Sequence, residues 1–256
     1  MILLLIQSVH NYGKDQACYK VWMKMPAVLA SKPLRFWILF IGMIIAALFF
    51  EDVVDDVFHD PLEGDYEANQ FDATVSDLAR GLRSPMLNQT MTDLTALGSV
   101  SVVFTFFFIL FSVLAIYRDW KGMSYLTLIA IGAGAIPQFL KVYYNRPRPN
   151  LDVHLVNVSD LSFPSGHSFG AAAIYLSLAF YAGRYAKTWS QEVFFYCLGA
   201  FVIVLVGVSR IFLGVHYPTD VLAGVSGGAA WAFGISAAYV FLTHPRHKHP
   251  EDVHIP

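Results

Sequence analysis

Residues 34–50 read LRFWILFIGMIIAALFF, an almost unbroken apolar run whose single charge is Arg35. A helix that crosses the hydrocarbon core of a bilayer needs about 20 largely apolar residues, and this run with its flanks meets that length. Five further stretches repeat the pattern: 97–117, 123–140, 168–185, 193–208 and 221–242. The fourth and sixth of the six are rich in Gly, Ala and Ser, the residues that let helices approach closely in lipid. The opening MILLLI is too short for the apolar core of a signal peptide and has no charge before it, so the 34–50 run is read as an uncleaved anchor.

Composition agrees. The 256-residue chain is 56% hydrophobic and 14% charged, with a mean hydropathy of +0.51, against about 25% charged residues in ordinary soluble domains. Disorder, a collagen-like chain and a small disulfide scaffold are excluded. A net charge of −2 gives no reason to expect nucleic acid as a partner. Cys18 and Cys197 sit in a basic stretch and an apolar run; neither has a partner at disulfide-framework or metal-ligand spacing.

Orientation follows from the basic residues. With the N-terminus in the cytoplasm, the inner segments hold Lys14, Lys20, Lys24, Lys32, Arg35, Arg118, Lys121, Arg184, Lys187, Arg246 and Lys248, which is 11 of 17. Arg80, Arg83, Lys141, Arg146, Arg148 and Arg210 fall outside. The positive-inside rule therefore puts both termini in the cytoplasm. The expected architecture is all-α: one integral membrane domain over 1–256, a bundle of six transmembrane helices with an outer-face active site. Residues 1–33 and 243–256 are cytoplasmic, and 51–96 form an outer loop. In that loop Val75, Leu78, Leu82 and Met86 recur at helical spacing, as an amphipathic helix at the membrane surface or as a lid on the bundle. The implied location is the cytoplasmic (inner) membrane, multi-pass, with the site facing the periplasm or exterior.

Four of the outer basic residues lie near helix ends in apolar sequence, where charge is costly and needs a reason. Three segments carry the chemistry: Lys141-VYYNRP-Arg148-Pro149, Pro164-Ser165-Gly166-His167 and Ser209-Arg210-IFLGV-His216-YPT-Asp220. Each borders a predicted span on the outer side, so they can converge. Lys141, Arg148 and Arg210 supply positive charge, the arginines as planar forks that match phosphate oxygens. Ser165 and Gly166 open a helix whose free N–H groups and positive end cradle an anion. The inferred ligand is a phosphoryl group. Pro218 marks a helix start, so Asp220 lies in the first turn and reaches back to His216. A carboxylate on Nδ1–H leaves Nε2 free to attack. His216 is the expected nucleophile, Asp220 its orienting carboxylate, and His167 the general acid.

These residues resemble the type 2 phosphatidic acid phosphatase family, whose signature is KxxxxxxRP, PSGH and SRxxxxxHxxxD. All eleven specified positions match between Lys141 and Asp220. The resemblance implies a phosphatase of lipid phosphates that needs no metal and no cofactor, with the roles assigned above. Chain size and the outer loop look like the bacterial membrane members that act on phosphatidylglycerophosphate or undecaprenyl pyrophosphate. The expected partners are a lipid phosphate substrate and the bilayer, with no obligate protein partner. The same signature occurs in vanadium haloperoxidases, whose chemistry needs no bilayer. Alternative functions are a lipid phosphotransferase using the same site, and a non-catalytic binder or transporter, which would need the cations but neither histidine.

Several features read more plainly. Arg146 lies outside the specified positions and flanks the site or meets a headgroup. Tyr143, Tyr144 and Tyr217 read as interface aromatics. The His244, His247, His249 tail fits a solvated basic segment better than a tetrahedral metal site. Asn88-Gln-Thr90 and Asn157-Val-Ser159 match the glycosylation sequon, a pattern that arises often by chance.

Overall fold

The computed structural model describes residues 31–58, 70–186 and 188–243. The basic N-terminal stretch with Cys18 and the histidine-rich tail lie outside the described residues. Among the described residues every regular element is helical: α1 (Lys32–Phe58), α2 (Gln70–Gly81), α3 (Pro85–Thr95), a 3₁₀ turn (Ala96–Gly98), α4 (Val100–Ile116), α5 (Trp120–Tyr144), a second 3₁₀ turn (Leu151–Val153), α6 (Gly166–Gly183), α7 (Trp189–Phe212) and α8 (Pro218–Leu242). Side-chain caps set most of the starts. Ser84, Ser99, Asp119, Ser165 and Thr188 each accept a hydrogen bond from the N–H three residues on, satisfying donors that have no partner inside the helix.

Six of these helices coincide with the six apolar runs. Four, α1, α5, α7 and α8, are long and apolar enough to cross a membrane. The pair Pro85–Gly98 and Val100–Ile116, bent by 43°, makes a fifth if taken as one span. The bend falls at Ser99, which is extended and caps α4. The helix α6 is not among them, for a reason that lies in packing. It is the most enclosed helix, set against α5, α7 and α8, and its Ala171, Ala172, Ala173 and Ser168 are buried. A Cβ on Gly224 of α8 would meet the Ser165 carbonyl at 2.6 Å, and one on Gly228 the Phe169 carbonyl at 2.3 Å. Glycine is thus required where the α6 and α8 backbones touch, and small residues replace apolar bulk. That contact also brings the starts of α6 and α8 together, and the Ser165 N–H donates to the Asp220 carbonyl at 3.0 Å.

Two expectations need correction. The first helix does not stop at Phe50 but runs to Phe58, about two turns further. Val53 is buried there, packed with Val54, Val57, Phe58 and Tyr144 around Phe163 and Ala223. Glu51, Asp52, Asp55 and Asp56 stay exposed on the other side, so the acidic run belongs to a helix that is apolar on one face. The outer loop also holds two helices, because Pro85 starts a new one at the Ser84 cap. Of the two placements open for the loop helix, α2 takes the lid-like one. It packs on α7 and α8 and buries Asp72, while Leu78 and Leu82 remain exposed.

The opposite end of the bundle is closed by aromatic rings. Tyr125 packs with Phe180, Tyr181 and Tyr239, and the Arg184 guanidinium lies 4.7 Å from the Tyr239 ring centre. Arg35 pairs with Glu192 at 3.0 Å, tying α1 to α7.

Candidate active site

The helix α8 begins at Pro218 with Tyr217 as its N-cap, as the His-x-Pro-x-Asp spacing predicts. Asp220, in the first turn, is fully buried. Its Oδ2 accepts from the Tyr217 N–H at 2.9 Å and from the Ser162 hydroxyl. The same oxygen lies 3.4 Å from His216 Nδ1. The other ring nitrogen, His216 Nε2, is 3.2 Å from Arg148 Nη1. A guanidinium can only donate, so this contact requires an unprotonated Nε2 and places the ring proton on Nδ1, facing Asp220. Burial pushes the His216 pKa down to about 3; the Asp220 contact opposes the shift and the charges of Arg148 and Arg210 reinforce it. The imidazole is therefore neutral near pH 7, with its lone pair aimed at the cations.

The first motif leaves the membrane helix through Asn145, which takes the left-handed conformation (φ 49°) that Asn tolerates better than most residues. The chain then runs through Arg-Pro-Arg-Pro without regular structure. Lys141, in the last turn of α5, is buried and donates to Asp160 Oδ2 at 2.5 Å and to the Leu161 carbonyl. Arg148 donates to the Asp160 carbonyl at 2.7 Å, to the Asp160 carboxylate and to the Val215 carbonyl. Burial acts to raise the pKa of Asp160, but Lys141 and Arg148 outweigh it and hold the carboxyl well below the usual range.

In the second motif Ser165 is the N-cap of α6, and its hydroxyl oxygen accepts from the Ser168 N–H at 3.4 Å and from the Ser168 hydroxyl at 3.0 Å. Gly166 is the first helical residue, and a Cβ there would meet nothing within 4 Å, so open space lies beside the helix start. Burial pushes the His167 pKa down to about 4; the charges of Arg210, Arg148 and Lys141 add to the shift and Asp160 opposes it, and among the described residues no carboxylate is within ion-pair distance of its ring. In the third motif Arg210 is buried; Nη1 donates to Thr95 at 3.1 Å, while Nε is buried with no hydrogen-bond partner. A buried donor left unmade is expensive, and an anion beside it would satisfy it.

Lys141, Arg148, Ser165, Gly166, His167, Arg210, His216 and Asp220 thus gather at one end of the bundle. Two groups were not foreseen. Asp160 bridges Lys141 and Arg148, and no motif spacing marks it; the only signal is the general need of buried cations for counter-charge. Arg146 is not a flanking surface residue but a buried one, paired with Asp220 at 2.7 Å and with Asp72 at 2.9 Å. Tyr217 lies under the Arg146 guanidinium, 4.2 Å from ring centre, and Tyr144 stacks on Phe58 at 4.8 Å. Both of these rings are partly buried, whereas Tyr143 is 71% exposed. Among the described residues no three His, Cys, Asp or Glu side chains stand where they could share a metal ion.

Residues 121–243 match the PAP2 superfamily. Phosphatidylglycerophosphatase B of Bacillus subtilis (strain 168) is 37% identical over 160 residues, covering 61% of this chain and 77% of that protein. Lipid A 1-phosphatase of Rhizobium johnstonii is 32% identical over 136 residues, half of each chain. The crystal structure of a transmembrane PAP2-type phosphatidylglycerolphosphate phosphatase from Bacillus subtilis superposes with a TM-score of 0.70 at 30% identity, covering 80% of this chain and 99% of that one.

Proposed function

The chain belongs to the PAP2 superfamily and is a phosphatase, and on that premise we propose that it hydrolyses a phosphate monoester or pyrophosphate of a membrane lipid through a phosphohistidine on His216. The observation that carries the reading is the orientation of the His216 ring, with Nδ1 on Asp220 and Nε2 toward the Arg148 guanidinium. Nε2 attacks phosphorus, and the bond from phosphorus to the lipid oxygen breaks. The bound phosphate offsets the cations around His167 and lets the ring take up a proton, which it gives to that oxygen. Water then attacks the phosphohistidine, passing a proton to His167, and phosphate leaves with His216 restored. Lys141, Arg148, Arg210 and the α6 N–H groups beside Ser165 and Gly166 hold the charge that builds on the equatorial oxygens. The incoming phosphate competes with the Asp160 carboxylate for Lys141 and Arg148.

The lipid tail has a place to lie. A cavity of about 500 Å³ runs between α1, α5, α6 and α8, lined by Met43, Phe50, Leu140, Phe169 and Trp231 among others. Leu140 and Phe169 sit next to Lys141 and one turn from Ser165 in the chain, so the groove meets the polar end of the bundle. Phosphatidylglycerophosphate, undecaprenyl pyrophosphate and phosphatidic acid all present the required headgroup. If a second lipid replaces water, the same site is a phosphotransferase. A binder or transporter would not need the neutral, oriented imidazole.

Purified protein in detergent is expected to release inorganic phosphate from lipid phosphates in excess EDTA, since the cations already supply the charge that metals provide elsewhere. Vanadate, which mimics five-coordinate phosphorus, should inhibit. Loss of activity in EDTA with recovery in Mg²⁺ would require a different mechanism.

The reading includes one membrane domain over 1–256 in the cytoplasmic membrane, with six spans, cytoplasmic termini and an outer active site. The basic-residue count supports it. In a variant lacking Cys18 and Cys197, a cysteine at Asn150 is expected to react with an impermeant reagent in intact cells. One at Tyr117, which caps the end of α4 just before α5 begins, is expected to be protected. The reverse pattern would invert the topology.

A further inference from the structure

Arg146 is held between two fully buried carboxylates from distant parts of the chain. Nη1 donates to Asp220 Oδ1 at 2.7 Å and to the Thr219 hydroxyl oxygen at 2.8 Å. Nη2 donates to Asp72 Oδ2 at 2.9 Å. Asp72, the buried residue of α2, also accepts from the Thr219 N–H at 2.9 Å and the Thr219 hydroxyl at 2.7 Å. It thereby caps the start of α8 from another helix. Three buried charges are a poor way to gain stability. Desolvation offsets much of their attraction, and well-packed apolar residues commonly do as well or better.

What this arrangement fixes is a direction. The three donors from the His216 side of Asp220, namely the Tyr217 N–H, the Ser162 hydroxyl and His216 Nδ1, all meet Oδ2. Oδ1 belongs to Arg146. Holding one oxygen on Arg146 leaves the carboxylate a single way to present the other to the imidazole. The pairing also keeps Asp220 ionised, as it must be when His216 carries phosphorus on Nε2 and a proton on Nδ1, because the ring is then cationic.

We propose that Arg146 and Asp72 are positioning residues for the reaction: they lock the Asp220 carboxylate onto His216 and tie the outer helix α2 to the nucleophile. The inference rests on the reading of His216 as nucleophile. The hydrogen bonds of Arg146 and Asp72 described above run to Asp220 and Thr219, so loss of the pair should appear in kcat and not in KM.

The test uses purified full-length protein, a short-chain phosphatidic acid as substrate, and the variants Arg146→Met, Arg146→Lys, Asp72→Asn and the double Asp72→Asn/Arg146→Met. His216→Ala serves as control. Carboxylates that orient ligating histidines typically cost ~10- to 100-fold in activity when removed, and a similar fall in kcat at unchanged KM is expected for Arg146→Met. Arg146→Lys restores the charge and should recover part of it. The double variant should be more active than Arg146→Met, because that single change takes away the guanidinium between two buried carboxylates and leaves their like charges facing each other. A merely structural role would lower the melting temperature or the yield of folded protein and leave the kcat of the folded fraction at the wild-type value. Should Arg146→Met fail to fold, Asp72→Asn carries the test, with lowered kcat and unchanged KM expected. Wild-type kcat in folded Arg146→Met or Asp72→Asn overturns the inference, as does a loss that neither Arg146→Lys nor the double variant relieves. If His216→Ala is dead while these variants are unimpaired, only the positioning role falls. If His216→Ala turns over normally, the nucleophile assignment itself is wrong.

Discussion

Replacing His216 with alanine is expected to abolish turnover and to leave the protein unable to retain phosphate covalently. The wild-type ring is buried and neutral near pH 7, with its pKa lowered to about 3 chiefly by that burial, and its contact with Arg148 keeps Nε2 unprotonated. Without it, water must attack directly, and the two-step path through a phosphohistidine is lost. Removing the nucleophile of a serine protease costs ~10⁶ in kcat, leaving only the contribution of binding and charge stabilisation. A loss of at least ~10⁴ is expected here, since Lys141, Arg148 and Arg210 remain to bind phosphate. An alkaline denaturing quench after mixing with radiolabelled lipid phosphate checks it: a base-stable protein phosphate that is lost on later acid treatment should form on the wild type and be absent in His216→Ala. A variant that still becomes phosphorylated would move the nucleophile elsewhere.

The sequence reveals some of this and hides the rest for identifiable reasons. Hydropathy locates the spans because lipid demands apolar side chains along a whole helix, and 34–50 meets that demand even though Val53 and Phe58 extend its helix to 58. It is weakest for α6, where Gly and Ala serve contact with α8 in place of lipid exposure. The motif residues are legible because phosphate chemistry restricts which side chains can stand at fixed spacing around helix starts. Pro218 foretells the start of α8, and that start sets the reach of Asp220. Asp160 and Asp72 are illegible because nothing local ties them to the site. Asp160 meets Arg148 12 residues away, and Asp72 meets Arg146 across 74. The partners of Tyr144 and Tyr217 are hidden for a related reason. A tyrosine at a helix end suits a membrane interface, and nothing local announces that Phe58 and Arg146 pack against these rings.

The effect of replacing His167 with alanine should depend on what leaves. His167 opens α6 beside the cations, and the charges of Arg210, Arg148 and Lys141 bear on its ring. A lipid alkoxide is strongly basic and cannot depart without a proton, so on a lipid phosphate the variant should lose the whole benefit of a positioned acid, ~10²- to 10⁴-fold. A nitrophenolate leaves readily without one. Phosphorylation of His216 by p-nitrophenyl phosphate should therefore be far less affected, and nitrophenol should appear in a burst. The second step still needs a base to deprotonate water, so the phosphohistidine should accumulate in the variant where it is transient in the wild type. Rapid-quench measurement with both substrates separates the two steps. Equal losses on both substrates, with no accumulated phosphoenzyme, would remove His167 from proton transfer. Should His216→Ala be phosphorylated by the activated ester while His167→Ala is not, the two histidines have exchanged roles. Asp220 would then be orienting a group that is not the nucleophile, contrary to the geometry that holds Nδ1 toward it and turns Nε2 to the Arg148 guanidinium.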